Sequence, residues 1–161
     1  MFIGTLALLA GCQSGDKSST ATNESPNIAE AELSYIQDGK ELEASFIAEC
    51  LPENDCTKEN SFLAQDSLNI AETTEDIEAV KAEPGEPIQI EVNGEEPEQI
   101  SYNMHYKREE TGSTSVDSGI VNQKQFTVGG NGQKRILIDA VWEDGEGNFI
   151  GAKRQALVVN L

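Results

Sequence analysis

Between Gln99 and Lys107 the side chains alternate without a break. Ile100, Tyr102, Met104 and Tyr106 fall on one side, and Gln99, Ser101, Asn103, His105 and Lys107 on the other. A period of two is the repeat of an extended chain, so the stretch reads as a strand with one dry and one wet face. A helix, at 3.6 residues per turn, would scatter those four apolar residues around its circumference. Ile88, Ile90 and Val92 alternate with Gln89, Glu91 and Asn93 in the same manner. From Arg135 to Trp142, the residues Ile136, Ile138, Ala140 and Trp142 share a face, and Asp139 interrupts the opposite one. Ala156 to Leu161 is apolar on both faces until Asn160, as expected of a closing strand buried in a sheet.

Turn residues separate these runs. Asp38-Gly39 lies between Leu33–Gln37 and Lys40–Ile47, a short-hairpin signal. Pro84-Gly85 divides Ile77–Ala82 from Pro87–Val92, and Gly129–Gly132 and Asp144–Asn148 bracket the strand that carries Trp142. About eight or nine short strands at near-regular spacing predict an all-β, antiparallel β-sandwich over residues 33–161. Residues 51–76 follow no period. Within them, Phe62 to Ile70 reads as one helical turn or an irregular loop.

The chain before the first strand has another character. Gln13 to Ala29 holds no apolar residue larger than alanine except Ile28. Such a composition cannot bury enough surface to offset its conformational entropy, so a flexible N-terminal tether is expected. At about 5–6 Å times the square root of its length, it would span roughly 20–25 Å. Ahead of it, Met1 to Leu9 is apolar except for Gly4 and Thr5, and ends in Leu9-Ala10-Gly11-Cys12. The run is too short for a membrane span, which needs about 20 apolar residues.

Leu9-Ala10-Gly11-Cys12 resembles the lipobox of bacterial lipoproteins. The resemblance implies a signal peptide over 1–11, cleavage before Cys12, and a diacylglycerol on the Cys12 thiol. Residues 12–32 would then be the lipidated tether, and the domain would face the extracytoplasmic side of the cell envelope with the membrane as its first partner. Signal peptides open on positive charge, yet Met1 to Gly11 holds no Lys or Arg, so the true translation start is expected upstream. In an envelope with two membranes, Gln13 stands where an Asp would resemble an inner-membrane retention signal, which favours the outer membrane.

If Cys12 carries the lipid, Cys50 and Cys56 remain as one possible pair, in a compartment where disulfides persist. Pro52 and Asn54-Asp55 favour the tight turn between them. Two thiols and one distant histidine fall short of a zinc site, and five intervening residues are unlike a redox pair. A structural disulfide is expected.

Charge is concentrated as well as large. Of the net −18, residues 41–100 carry −15, with seventeen acids against Lys58 and Lys81. A field of that sign repels nucleic acid and anionic headgroups. It suits a solvated surface first, and a docking face for a basic protein partner second.

Catalytic patterns are incomplete. His105 is the chain's single histidine, so a hydrolase triad would need it, with Ser113, Ser115 or Asp117 nearby; there is no Gly-x-Ser-x-Gly elbow. Paired carboxylates for glycoside chemistry are an alternative that the abundance of acids leaves open. Gly129–Gly132 followed by Lys134 lacks the Gly-Lys-Ser/Thr and helix of a phosphate loop and reads as a hairpin turn. Asp144, Glu146 and Asn148 alternate like calcium ligands, without the glycine and distal glutamate of a calcium loop.

The strand spacing over 33–161 resembles the immunoglobulin-like domains of bacterial surface lipoproteins. It departs from antibody domains, whose paired cysteines lie far apart in sequence, with the tryptophan between them; here Trp142 follows both cysteines. No family site is carried over. The expectation is a lipid-anchored, non-catalytic binding or structural module with no cofactor. A small secreted hydrolase using carboxylates or His105, and a calcium-stabilised adhesion-type domain, are the alternatives.

Overall fold

The protein, a computed structural model, is described over residues 27–64, 69–108 and 111–161. The expected signal peptide, Cys12 and the tether as far as residue 26 lie outside them.

Among the described residues, ten strands and one short α-helix follow in order. They are β1 (Glu32–Gln37), β2 (Lys40–Leu42), β3 (Ser45–Cys50), α1 (Ile70–Thr73), β4 (Val80–Lys81), β5 (Pro87–Asn93), β6 (Gln99–Lys107), β7 (Thr114–Ile120), β8 (Gln125–Thr127), β9 (Gln133–Glu143) and β10 (Phe149–Asn160). One sheet runs β2-β1-β5-β8; the other runs β3-β10-β9-β6-β7, with β4 added beside β10. Strands β1, β5 and β8 take the places of A, B and E of an immunoglobulin-like sandwich, and β7, β6, β9 and β10 those of C′, C, F and G. All pairings are antiparallel except that of β4, which runs parallel to β10 at Val80↔Val159.

The alternating residues meet between the sheets. Leu33, Tyr35, Ile88, Ile90 and Phe126 from the first sheet pack against Ile100, Met104, Ile136, Ile138, Trp142 and Leu157 from the second. Fully burying each such side chain contributes roughly 1.5–3 kcal/mol. Polar tips in this layer are satisfied. The Tyr35 hydroxyl donates to Gln155 Oε1 across the sandwich at 2.8 Å, and Trp142 Nε1 donates to the Glu95 carbonyl at 2.9 Å. Burial, with a smaller contribution from the Asp139 charge, pushes the Tyr35 phenol well above its ordinary value.

Turns form where the sequence places them. Gln37 pairs with Lys40 across Asp38 and Gly39, whose φ values of 49° and 70° make the two-residue turn that favours Asp-Gly. Two expectations change. Lys40–Ile47 is not one strand: β2 stays with β1, and the chain crosses at Glu43-Ala44 so that β3 joins the other sheet. Ala44 packs on the core at the crossing, so local apolar pattern alone could not reveal the change of sheet. The folded unit also begins before Leu33. Ile28 and Ala31 are buried in the core, and Lys153 Nζ donates to the carbonyls of Ala29 and Ala31 at 2.8 and 2.7 Å.

Residues 51–64 and 69–79 form a cover, the feature with no counterpart in the sequence pattern. The outward faces of β9 and β10 carry Leu137, Val141, Ala152 and Ala156, which two-layer logic would leave wet. Cys56, Phe62 and Leu63 pack over Val141 and Ala152; Ile70 and Ile77 pack over Leu137 and Ala156. The covering segment thus adds a partial third layer outside the second sheet. Beneath it, Asp139 and Arg154 form a buried two-pronged ion pair, Nε to Oδ1 at 2.5 Å and Nη2 to Oδ2 at 2.7 Å. The Phe62 ring lies 4.6 Å from the guanidinium carbon. Asp139, which interrupts the apolar pattern, therefore has a partner and a lid.

Candidate functional site

Each residue with a candidate chemical role was placed by its strand, and most of these roles do not assemble. Cys50, at the end of β3, and Cys56 are joined by their sulfurs, with Cα atoms 5.4 Å apart. A 3-10 turn at Pro52–Asn54, closed by Asp55 in the left-handed region, folds the chain back between them. The pair ties the covering segment to β3, with Cys56 packed over Val141 and Ala152.

His105 lies on β6 opposite Val116 of β7 and Arg135 of β9. Ser115 and Asp117 stand opposite Tyr106 and Met104, on the inward row, so the pleat turns them away from His105. Ser113 is engaged locally, its hydroxyl 2.5 Å from Thr111 Oγ1. Among the described residues, Ser113, Ser115 and Asp117 are not brought to the imidazole as a serine and carboxylate pair. His105 is half-buried rather than fully exposed, because strands flank it on both sides.

The Asp144 hairpin is closed on itself. Asp144 Oδ1 accepts from the backbone N–H of Glu146 and of Asn148, each at 2.9 Å, and Asn148 Nδ2 donates to both carboxylate oxygens. The Asn148 side-chain bond is the main reason this carboxyl is held below its ordinary range, followed by the backbone donors. A cation here would have to displace that amide, which presents N–H donors and not an oxygen to Asp144. Among the described residues no cluster of three or more His, Cys, Asp or Glu is placed to hold a metal.

The acids of residues 41–100 do not share one face. Glu41 and Glu91 lie on the first sheet, Glu49 on the second, and Glu72 on α1 of the cover.

The basic residues, by contrast, converge. In the last third of the chain Lys124 pairs with Glu96 at 2.6 Å, while Lys153 and Arg154 are engaged in the interior. The other four come as two pairs, Lys107-Arg108 at the end of β6 and Lys134-Arg135 at the start of β9. The antiparallel register sets Tyr106 beside Lys134 and His105 beside Arg135. Between them opens a cleft of about 630 Å³ lined by His105, Lys107, Arg108 and Arg135, with Asn131, Gln133 and the glycines 112 and 132 completing its rim. Arg135 is held by Thr74, its Nη1 donating to the carbonyl and, at 3.0 Å, to Oγ1. Lys134 lies behind, its ammonium 4.5 Å from the Tyr106 ring centroid. Among the described residues, none of these four cations has a carboxylate within ion-pair distance. Glu109 and Glu110, next in the chain, lie outside those residues. The sequence carried the signal as two basic dipeptides, but only strand pairing shows that they meet.

Comparison with known proteins finds no matching family model, no matching curated protein and no matching solved structure.

Proposed function

We propose that the protein is a lipid-anchored extracytoplasmic module, in which the β-sandwich is held near a membrane through Cys12 and acts by binding, not by catalysis. The observation that carries this reading is Leu9-Ala10-Gly11-Cys12 at the end of a short apolar run, ahead of a polar stretch and a sandwich. The Cys50–Cys56 disulfide is in keeping with an oxidising compartment. No helix among the described residues is long and apolar enough to cross a membrane, so the lipid is the anchor that this reading supplies. Two or more acyl chains suffice for stable attachment, at roughly 0.8 kcal/mol per buried methylene. The non-catalytic part of the reading rests on the closed Asp144 hairpin and on the separation of His105 from Ser115 and Asp117.

Mass spectrometry of the N-terminal peptide, from protein produced in a bacterium with its lipoprotein pathway intact, tests the proposal. A diacylglyceryl thioether on Cys12, with nothing before it, is the expected result. A peptide that continues unmodified through Gly11-Cys12-Gln13 would refute it.

A further inference from the structure

We infer that the cleft between the β6 end and the β9 start is an anion-binding site, and that its ligand is a small soluble phosphomonoester. Three fixed cations, Lys107, Arg108 and Arg135, converge on it together with His105. Like charges lining one cleft repel, and among the described residues no carboxylate lies within ion-pair distance of them to offset this. A carboxylate carries one negative charge, whereas a phosphomonoester near neutrality carries close to two, with three acceptor oxygens. The dianion matches the count of cations better. Arginine adds a planar fork of donors suited to phosphate, and Arg135 is already oriented by its bonds to Thr74.

Size and lining narrow the class further. About 630 Å³ is far more than a bare phosphate fills, and lies in the range of small-molecule sites. The side-chain amides of Asn131 and Gln133 on the rim can donate to and accept from hydroxyl groups. The ligand is therefore a phosphate carried on a compact hydroxylated body. The source is a soluble molecule and not a lipid headgroup, because a body of net charge −18 is repelled by an anionic bilayer at the distance where headgroups would enter. The site is made of side chains at the ends of β6 and β9 and the loops beside them, unlike the glycine-cradled phosphate loops that open helices.

His105 supplies the test, since it is the chain's single histidine and gives one imidazole C2–H resonance without assignment. The purified full chain is titrated with glycerol phosphate at constant pH and ionic strength, and with acetate in parallel. A saturable shift of that resonance with glycerol phosphate, complete by about 10 mM, is expected. Acetate should produce only a small, unsaturated drift. The double variant Lys107→Gln/Arg108→Gln, altered only at exposed side chains, should bind at least about tenfold more weakly. Lys40→Gln, which removes a charge from the β1–β2 hairpin, should bind as the wild type does. Absence of saturation, an equal response to acetate, or unchanged binding by the double variant would each overturn the site. Co-sedimentation of the unlipidated Cys12→Ser chain with vesicles containing phosphatidic acid, a phosphomonoester headgroup, but not with phosphatidylcholine vesicles would overturn the soluble source.

Discussion

Asp139 and Arg154 face each other on neighbouring strands, about 4–5% exposed at their side chains, beneath the Phe62 ring. Burying two charges costs several kcal/mol per ion, and the pair recovers this only through its two-pronged geometry. Removing one partner leaves the other charged and dry. Arg154→Met should therefore destabilise by about 3–5 kcal/mol, while Asp139→Leu combined with Arg154→Met should recover most of the loss. Urea midpoints of the two variants check this; a double variant as weak as the single one would mean that the lid, and not the charge, sets the cost. Tyr35 gives a second residue-scale expectation. Burial holds its phenol far above the ordinary value of about 10, so the folded state resists ionisation that the unfolded chain accepts. For a group whose pKa is raised by folding, the stabilisation is complete below the unfolded value and is lost as pH climbs above it. Stability should fall above about pH 10. Tyr35→Phe should flatten that alkaline decline while costing about 1 kcal/mol at neutral pH through the lost bond to Gln155.

Elements built on strict alternation were legible, and elements built on coverage were not. The inward row of β6 and the shared face of Ile136, Ile138, Ala140 and Trp142 follow from period two alone. That register makes a prediction with a built-in comparison. Trp142 is 1% exposed, so Trp142→Ala should cost about 3–5 kcal/mol, whereas His105→Ala on the outward row should change stability little. Equal losses by chemical denaturation would place β6 or β9 one residue out of register. Residues 51–79 lack any period because they repeat no face: Phe62, Ile70 and Ile77 each plug a separate spot over β9 and β10. The outward Leu137 and Val141 were visible as apolar residues opposite the core face, but nothing local says what covers them. The turn at Gln123-Lys124 was illegible for another reason. Both residues hold positive φ, 53° and 54°, with neither the glycine nor the asparagine that marks such turns. The basic cleft was missed because its cations lie on two distant strands joined only by register. The disulfide belongs to the covering element, and closing its short loop limits the unfolded chain by roughly 2 kcal/mol on the entropy model. Cys56→Ser should lower the urea midpoint accordingly. Amides of residues 51–64 should then exchange faster, with those of β9 and β10 less affected.

At the scale of the whole molecule, charge and architecture divide the labour. Acids spread over both sheets and the cover, while four bases of the last third of the chain, without an ion pair among the described residues, gather around one cleft. A body with that asymmetry repels anionic surfaces over most of its area and attracts a small anion at one place. The attraction extends only about 8 Å at physiological ionic strength, so it acts on a ligand already near the cleft. Fractionation of bacterial cells decides whether the lipid proposed on Cys12 holds this body at a membrane. Wild-type protein should pellet with membranes, resist a high-salt wash and dissolve in detergent. Cys12→Ser should shift to the soluble extracytoplasmic fraction with its fold and Cys50–Cys56 disulfide intact. A Cys12→Ser protein that still pellets with membranes, or a wild-type protein that stays in the cytoplasm, would contradict the account.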